Sequence, residues 1–383
     1  MEYRTLGRTG IRVSAVAMGC EGFEDKSASD CQRLVDAAMG QGVQFFDMYT
    51  SNPAVRSHVG RALCCYPRDQ YVVQGHLCTV WQDGQYCRTR EIEAVQASFE
   101  RLLADMQIDF VDVGMIHYVD SQTDFEQVYQ GPVMAYVRQL KQQGKVRSIG
   151  LSTHNPDIAR LAAETGDFDV MMMSINPAYD MLPANEDINV LFDRQTYDRV
   201  YEGIDPKRDQ LYRTCQNLGV ALTVMKPFAG GLLLDEKQSP FGRAMTPVQC
   251  MSYCLDRPAV SAVMGGMASE EELMQAVAYC TATEADKDYS MILASAPQRS
   301  FHGHCMSCGH CAPCTVKIDI ACVNKYLDLA LAQGMVPETV QNHYDLLEHH
   351  AGECIACGAC MRNCPFGTDV IAKMQQAAAL FGQ

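Results

Sequence analysis

Eight cysteines stand in two tight runs near the C-terminus: Cys305, Cys308, Cys311 and Cys314, then Cys354, Cys357, Cys360 and Cys364, the last followed at once by Pro365. The first run has two residues in each gap; the second has two, two and three. Three thiolates at this spacing on a tightly curled loop can reach three corners of one polynuclear cluster. The fourth, entering a helix, points away toward a neighbouring one. Gly309 and Gly358 follow the second cysteine of each run, and a residue without Cβ lets the backbone approach inorganic sulfide closely. A pair of four-cysteine zinc sites is the competing reading, since C-x2-C pairs also serve zinc. Zinc normally draws two separated pairs, which unbroken runs of four fit poorly.

The second run matches that of bacterial two-cluster ferredoxins, in which the last cysteine ligates the other cluster. The first is one residue shorter before its last cysteine and lacks the proline. The resemblance implies two [4Fe–4S] clusters, one on Cys305, Cys308, Cys311 and Cys364, the other on Cys354, Cys357, Cys360 and Cys314. Helical patterns near Cys322–Gln333 and Pro337–His349 would hold the halves together. His302, His304 and His310 border the first run and read as surface histidines. Cys322 reads as a small buried hydrophobe on its helix.

The remaining elements must position these groups. With 383 residues, 48% hydrophobic and 20% charged, the chain can bury a substantial core, and its length suggests two domains. A net charge of −15 repels phosphate backbones and argues against nucleic-acid binding. The N-terminal residues lack a basic stretch followed by an apolar one, and no apolar run approaches the roughly 20 residues that span a bilayer. A cytoplasmic protein without a membrane role is expected. In a long chain of this kind, nineteen cysteines point to metal ligation and reduced thiols rather than disulfides.

Short β-branched runs alternate with amphipathic stretches from Val13 to about Cys280. Strands are expected at Val13–Met18, Val43–Asp47, Tyr71–Gln74, Phe110–Ile116, Val146–Leu151, Val170–Ser174, Val220–Met225 and Ala259–Met264. Helices are expected at Glu91–Asp105, Phe125–Gln143, Asp157–Glu164 and Glu270–Cys280. Eight parallel strands joined by helical crossovers close into a (β/α)8 TIM barrel of the α/β class. An open doubly wound sheet would want G-x-G-x-x-G after its first strand, and Gly19-Cys20-Glu21-Gly22 is not that. The expected division is a barrel over 1–294 and a small α-helical two-cluster ferredoxin-like domain over 295–383, with the seam at Ser295–Arg299. The segment Tyr179–Lys207, rich in Asp, Asn and Pro, has the length of a lid or a disordered insertion. Met171-Met172-Met173 should alternate between core and helix-facing sides of its strand. Cys20, after the first strand, reads as packed and inert rather than reactive.

Tyr3-Arg4-Thr5-Leu6-Gly7-Arg8-Thr9-Gly10, Gly42-Val43-Gln44-Phe45-Phe46-Asp47, Gly144-Lys145-Val146-Arg147-Ser148-Ile149-Gly150-Leu151-Ser152 and Lys226-Pro227-Phe228-Ala229-Gly230-Gly231-Leu232 resemble signatures of the aldo/keto reductase family. With the tail, the chain resembles the branch carrying a C-terminal dicluster domain. The resemblance implies carbonyl reduction with NAD(P)H at the C-terminal mouth of the barrel, by a tetrad of Asp, Tyr, Lys and His. Asp47 matches the aspartate and His117 the histidine. The tyrosine position holds Asn52, with Tyr49 nearby, and the lysine position holds His76. Without the lysine, a tyrosine of ordinary pKa near 10 is a poor acid–base group, whereas imidazole titrates near 6.5. Asp47, His76 and His117, with Tyr49 in support, therefore form the expected catalytic centre, set against a reading as structural remnants. His154 and Asn176 extend the polar pocket.

The same resemblance assigns Ser152, Phe228, Gly230, Gly231 and Leu232 to the nucleotide. Past the eighth strand, Glu270, Glu271 and Glu272 stand where the family carries a basic residue for the 2′-phosphate. NADP is disfavoured, which leaves NADH or no nicotinamide. Three functions fit: a redox enzyme whose clusters exchange electrons with the barrel site, with a ferredoxin or flavodoxin-type donor and a small polar carbonyl or hydroxyl substrate; a conventional NAD(P)H reductase with structural clusters; and a non-enzymatic electron-transfer subunit.

Overall fold

The computed structural model describes residues 1–191, 196, 201–294, 299–300, 303, 305–333 and 335–382. Its centre is a closed barrel of parallel strands: β1 (Val16–Gly19), β2 (Phe45–Met48), β3 (Val72–Leu77), β4 (Val111–Ile116), β5 (Val146–Thr153), β6 (Val170–Ser174), β7 (Ala221–Met225) and β8 (Val260–Gly265). β8 pairs back onto β1, Val263 opposite Val16. The strands are buried on both faces, which is why they read as continuous apolar runs. Met172 joins the interior cluster with Phe45, Val113 and Ala262, while Met171 and Met173 join the outer, helix-facing core, as period-two alternation requires.

Two expected elements divide. Only Val16–Gly19 of the first run enters the barrel. Arg12–Ser14 instead pairs antiparallel with Tyr3–Thr5, a hairpin that closes the barrel floor with Leu6, Ile11 and Val13 and with Arg4 donating to the carbonyls of Leu255 and Val260. The pattern Phe125–Gln143 is two helices, Gln122–Gln130 and Pro132–Gln142. Pro132 has no N–H to continue the first helix and restricts Gly131 before it.

In the C-terminal part, helices Ile320–Gln333, Glu338–Asp345 and Val370–Phe381 enclose a second core of Ile320, Val323, Leu327, Val340, Met374 and Phe381. Tyr344 stacks on Phe381, with ring centroids 4.1 Å apart. This core is not isolated from the barrel. Met306 and Phe366, from the two cysteine loops, are buried in the barrel's outer apolar core, with Cys308 and Cys364 against it. His310 Nε2 meets Asp288 Oδ2 at 2.9 Å, and Arg213 lies 3.8 Å from Asp328. Residues 295–298, which hold most of the expected seam, and His302 and His304 lie outside the described residues. So do 192–195 and 197–200 of the segment expected to cover the pocket. The start of that segment is not a lid: helix Pro177–Asp180 is buried, and Asp180 accepts from Tyr212 (2.5 Å), Tyr253 (2.8 Å) and Arg208 (3.4 Å). Ile188 does reach the cavity at the barrel mouth.

Candidate active site and cysteine-lined cavities

A cavity of about 830 Å³ opens among the C-terminal ends of the strands, the end of this fold where loops from many strands converge. β2 brings Asp47, β3 brings His76, and the residue after β4 is His117. They form one line: His76 Nε2 lies 2.9 Å from Asp47 Oδ1, and His76 Nδ1 lies 2.7 Å from His117 Nδ1. Gln74 Nε2 donates to the same Asp47 oxygen at 2.7 Å. A carboxylate can only accept, so His76 carries its proton on Nε2. With both imidazoles neutral, His76 Nδ1 accepts from His117 Nδ1–H, which leaves His117 Nε2 as the unprotonated nitrogen. Burial, and next the neighbouring His76, push the His117 imidazole well below its usual value. All three side chains line the cavity.

Tyr49 is also at the cavity, its ring centroid 6.5 Å from that of His117. Burial and then Glu21 push its phenol up, so it is held as a neutral donor. Asn52 is not at the cavity. It caps helix Pro53–Leu63, accepting from Ala54 N at 3.0 Å. Tyr86 was not anticipated. It sits on a hairpin, Thr79–Gln82 with Gln85–Arg88, that follows β3, and its ring lies edge-on to His117 at 5.5 Å. Burial pushes its phenol up to about 12. The one visible signal was the Asp83-Gly84 pair, a hairpin-turn dipeptide.

A second line lies beside the first, past the ends of β4, β5 and β7. His154 Nδ1 lies 2.9 Å from Asp120 Oδ2, and His154 Nε2 lies 3.2 Å from Lys226 Nζ. Glu21 stands nearby, its carboxyl pushed up by burial against the pull of Lys226. Cys78, Tyr118 and Lys226 all have positive φ (69°, 56° and 57°). Each directly follows or lies close past a strand end at the cavity. Such backbone is uncommon outside glycine and concentrates at functional sites.

Ser152, Phe228, Gly230 and Gly231 line the cavity as expected, but Leu232 does not. It turns onto the outer core, and Leu234, one further turn along, takes the lining position. Gly230 and Gly231 require glycine for their φ of 67° and 93°. Asn176 is likewise displaced from the pocket: it is fully buried, caps Tyr179 N and donates to the carbonyl of Lys226. At the far rim, Ser269 caps helix Glu270–Val277, and Glu272 Oε2 accepts from Ala268 N at 2.7 Å. The protein's own carboxylate thus occupies this positive helix end. Glu272 lines the cavity, and the Lys and Arg residues among its described lining are Arg88 and Lys226. Cys20 is fully buried outside the cavity lining, and burial pushes its thiol well up.

The two cysteine runs cross. One cavity is lined by Cys305, Cys308, Cys311 and Cys364. The other is lined by Cys354, Cys357, Cys360 and Cys314. The loops repeat each other: Ser307 and Gly309 have φ of 52° and 76°, and Ala356 and Gly358 have 53° and 73°. The residues third after the last cysteines, Lys317 and Gly367, have 63° and 61°. Among the described residues no three His, Cys, Asp or Glu side chains converge on a single ion. Each space is ringed by four thiols, three from its own run and one from the other, which is the donor set a [4Fe–4S] cubane needs. His310 is half-buried beside the first set, in contact with Asp288 rather than free on the surface. Cys322 is half-buried and lines neither cavity.

The aldo/keto reductase family model matches residues 15–248, and a 4Fe-4S binding domain model matches 347–368. The chain belongs to the aldo/keto reductase family. The second match contains Cys354, Cys357, Cys360 and Cys364. L-galactose dehydrogenase of Arabidopsis thaliana is 24% identical over 74% of this chain and 90% of that protein. The NADH-specific methylglyoxal reductase of Escherichia coli is 24% identical over 60% of this chain, and the aligned part is 66% of that enzyme's length. Among solved structures, an aldo-keto reductase from Bacillus halodurans in its holo form superposes with a TM-score of 0.59 at 18% identity, covering 79% of this chain and 99% of that one. This likeness establishes the fold. Among the described residues no helix is long and apolar enough to cross a membrane.

Proposed function

We propose that this aldo/keto reductase is an iron–sulfur oxidoreductase that acts on a small polar carbonyl or hydroxyl compound at Asp47, His76 and His117, and exchanges electrons through two [4Fe–4S] clusters. Cys305, Cys308, Cys311 and Cys364 would hold one cluster, and Cys354, Cys357, Cys360 and Cys314 the other. When bound, such clusters supply and accept single electrons at potentials that can lie below those of nicotinamides. The observation that carries the reading is the pairing of a three-membered proton line at the barrel mouth with two crossed cavities, each lined by four thiols.

The chain's own residues handle protons and position. His117 Nε2 accepts a proton from a substrate hydroxyl, and His76 and Asp47 redistribute the charge along their hydrogen bonds. In the reducing direction the same line returns the proton, and the neutral phenols of Tyr49 and Tyr86 donate hydrogen bonds to a carbonyl oxygen. The first thiol cavity lies against the barrel core. The second lies at the surface, where Cys357 is exposed and Ile355 is 60% exposed. That order suits entry of electrons from a ferredoxin or flavodoxin-type donor at the outer cavity. The methylglyoxal-reducing and L-galactose-oxidising relatives support a small oxygenated substrate.

The test is anaerobic purification with iron and sulfide analysis, followed by spectroscopy of the clusters during turnover of small carbonyls with dithionite or reduced ferredoxin. Redox changes that track turnover are expected; clusters silent throughout would count against the proposal. A second reading, NADH-driven reduction with structural clusters, draws on the cavity volume and on Gly230 and Gly231. It would be favoured by cluster-free protein that still oxidises NADH with the substrate.

A further inference from the structure

A second hydrogen-bonded line shares the cavity with His117 and takes no part in the proton line through Asp47. The residue following β7 is Lys226, whose Nζ stands 3.2 Å from His154 Nε2, while His154 Nδ1 is 2.9 Å from Asp120 Oδ2. Asp120 is fixed in turn: its Oδ1 accepts from Thr153 Oγ1 at 2.8 Å and from His154 N at 2.7 Å. Its carboxylate can only accept, so the His154 proton sits on Nδ1 and Nε2 is the acceptor facing the amine. A nucleophile, a base within hydrogen-bond reach of it, and a third group orienting the base are the parts of an activated nucleophile. His154 and Lys226 both line the cavity; Asp120 stands behind them, 4% exposed.

We propose that Lys226 is a covalent-capture residue: its amine, deprotonated by His154 under the hold of Asp120, adds to the carbonyl carbon of a small aldehyde or ketone and forms an imine. The step balances without a redox partner. The lone pair of Nζ forms the C–N bond, the carbonyl π pair goes to oxygen, and the two amine protons and that oxygen leave as one water. Burial lowers the amine's affinity for its proton despite Glu21 nearby, and burial likewise favours a neutral His154. The first direction suits a nucleophile; the second keeps the His154 Nε2 lone pair available while making that imidazole a weaker base.

Reduction at the captured carbon would leave Lys226 permanently alkylated. Capture therefore serves chemistry at the adjacent α-carbon. The proton His154 took from the amine returns to the imine nitrogen, and the resulting iminium takes up the electron pair released by α-proton loss to give a neutral enamine. After reprotonation at carbon, hydrolysis returns the amine. The bare nitrogen of His117 is the proton acceptor in the same cavity, joined to His154 by the Tyr118 ring at 6.1 Å and 5.2 Å. The substrate class is then a carbonyl compound with an α C–H. The inference rests on the proposed reading only in placing a carbonyl compound here.

The experiment is trapping. The full chain, kept anaerobic, is incubated with hydroxyacetone and sodium cyanoborohydride, and the product is examined by intact mass and peptide mapping. One adduct on the peptide carrying Lys226 is expected, and none there in Lys226→Arg. His154→Gln should slow trapping by at least about a hundredfold, the low side of the usual contribution of a general base, with thermal unfolding checked to match the parent. Labelling spread over surface lysines, or equal in the parent and Lys226→Arg, overturns the proposal. Trapping that survives cluster removal while the clusters stay silent in turnover would sink the electron-exchange reading and leave this one standing. Cluster-linked turnover with no trapping would do the reverse.

Discussion

His76 Nδ1 and His117 Nδ1 stand 2.7 Å apart, with Asp47 on the far side of His76. An imidazole pair in this arrangement has a defined direction, because the carboxylate settles which nitrogen of His76 is protonated and hence which nitrogen of His117 is bare. His76→Gln should keep a side chain of similar reach but lose the relay. Turnover is expected to fall by about 10²-fold or more, with KM changing less than kcat, and steady-state kinetics on both variants, His76→Gln and His117→Gln, check it.

Acid should act on stability through the same imidazoles. Burial holds both His117 and His154 below the ordinary value, so in the native state they stay neutral where the unfolded chain has begun to bind protons. The unfolded state then binds more protons, and stability falls as pH drops below the usual histidine value of about 6.5. It should be fully present above that value. Thermal unfolding between pH 7.5 and 5 is expected to show this decline, and His117→Gln combined with His154→Gln should flatten it.

Crossing of the cysteine runs has a distinctive mutational signature. Cys364 belongs to the second run yet lines the first cavity, and Cys314 belongs to the first run yet lines the second. Cys364→Ser should therefore disturb the centre held by Cys305, Cys308 and Cys311, and Cys314→Ser the other. Electron paramagnetic resonance of each reduced variant, with iron counted per chain, distinguishes this from a run-by-run assignment.

Glu272 faces the cavity at the end where a dinucleotide's 2′-phosphate would lie by family resemblance. Replacing it with lysine turns repulsion into attraction for that group. Glu272→Lys is expected to tighten NADPH binding at least several-fold while leaving NADH little changed, read by fluorescence titration at fixed, low ionic strength. Equal effects on both nucleotides would remove the assignment.

The knot around Asp180 should matter for folding rather than chemistry. Its carboxylate is fully buried and accepts from Tyr212, Tyr253 and Arg208. Asp180→Ala leaves Arg208 buried without that partner, a change that typically costs about 3–5 kcal/mol. Denaturant unfolding should register it as an earlier midpoint.

Much of this was legible in the chain because period-two and period-3.6 patterns carry their own geometry. Val170–Ser174 is the observed β6 to the residue, since a strand buried on both faces ends where its apolar run ends. The cysteine spacing announced two thiol-lined spaces and their crossing. What escaped was tertiary. Tyr86 reaches His117 only because a short hairpin folds over the mouth, and nothing in a local pattern says which way a hairpin leans. The line from Asp120 through His154 to Lys226 joins residues up to 106 positions apart, brought together by three different strand ends. Lys226 sat within a stretch whose family likeness suggested only a nucleotide loop. Leu232 failed for the opposite reason: two glycines at positive φ re-aim the side chains after them, which a linear match cannot register.

Met306 and Phe366 are the hinge of one last consequence. They lie in the cysteine loops, yet their side chains are among the barrel's own buried apolar contacts. Whatever loads the loops with iron also secures one flank of the barrel, because a group that binds only the folded form draws the folding equilibrium with it. Emptying the thiol loops would then loosen one flank of the barrel itself and not the tail alone.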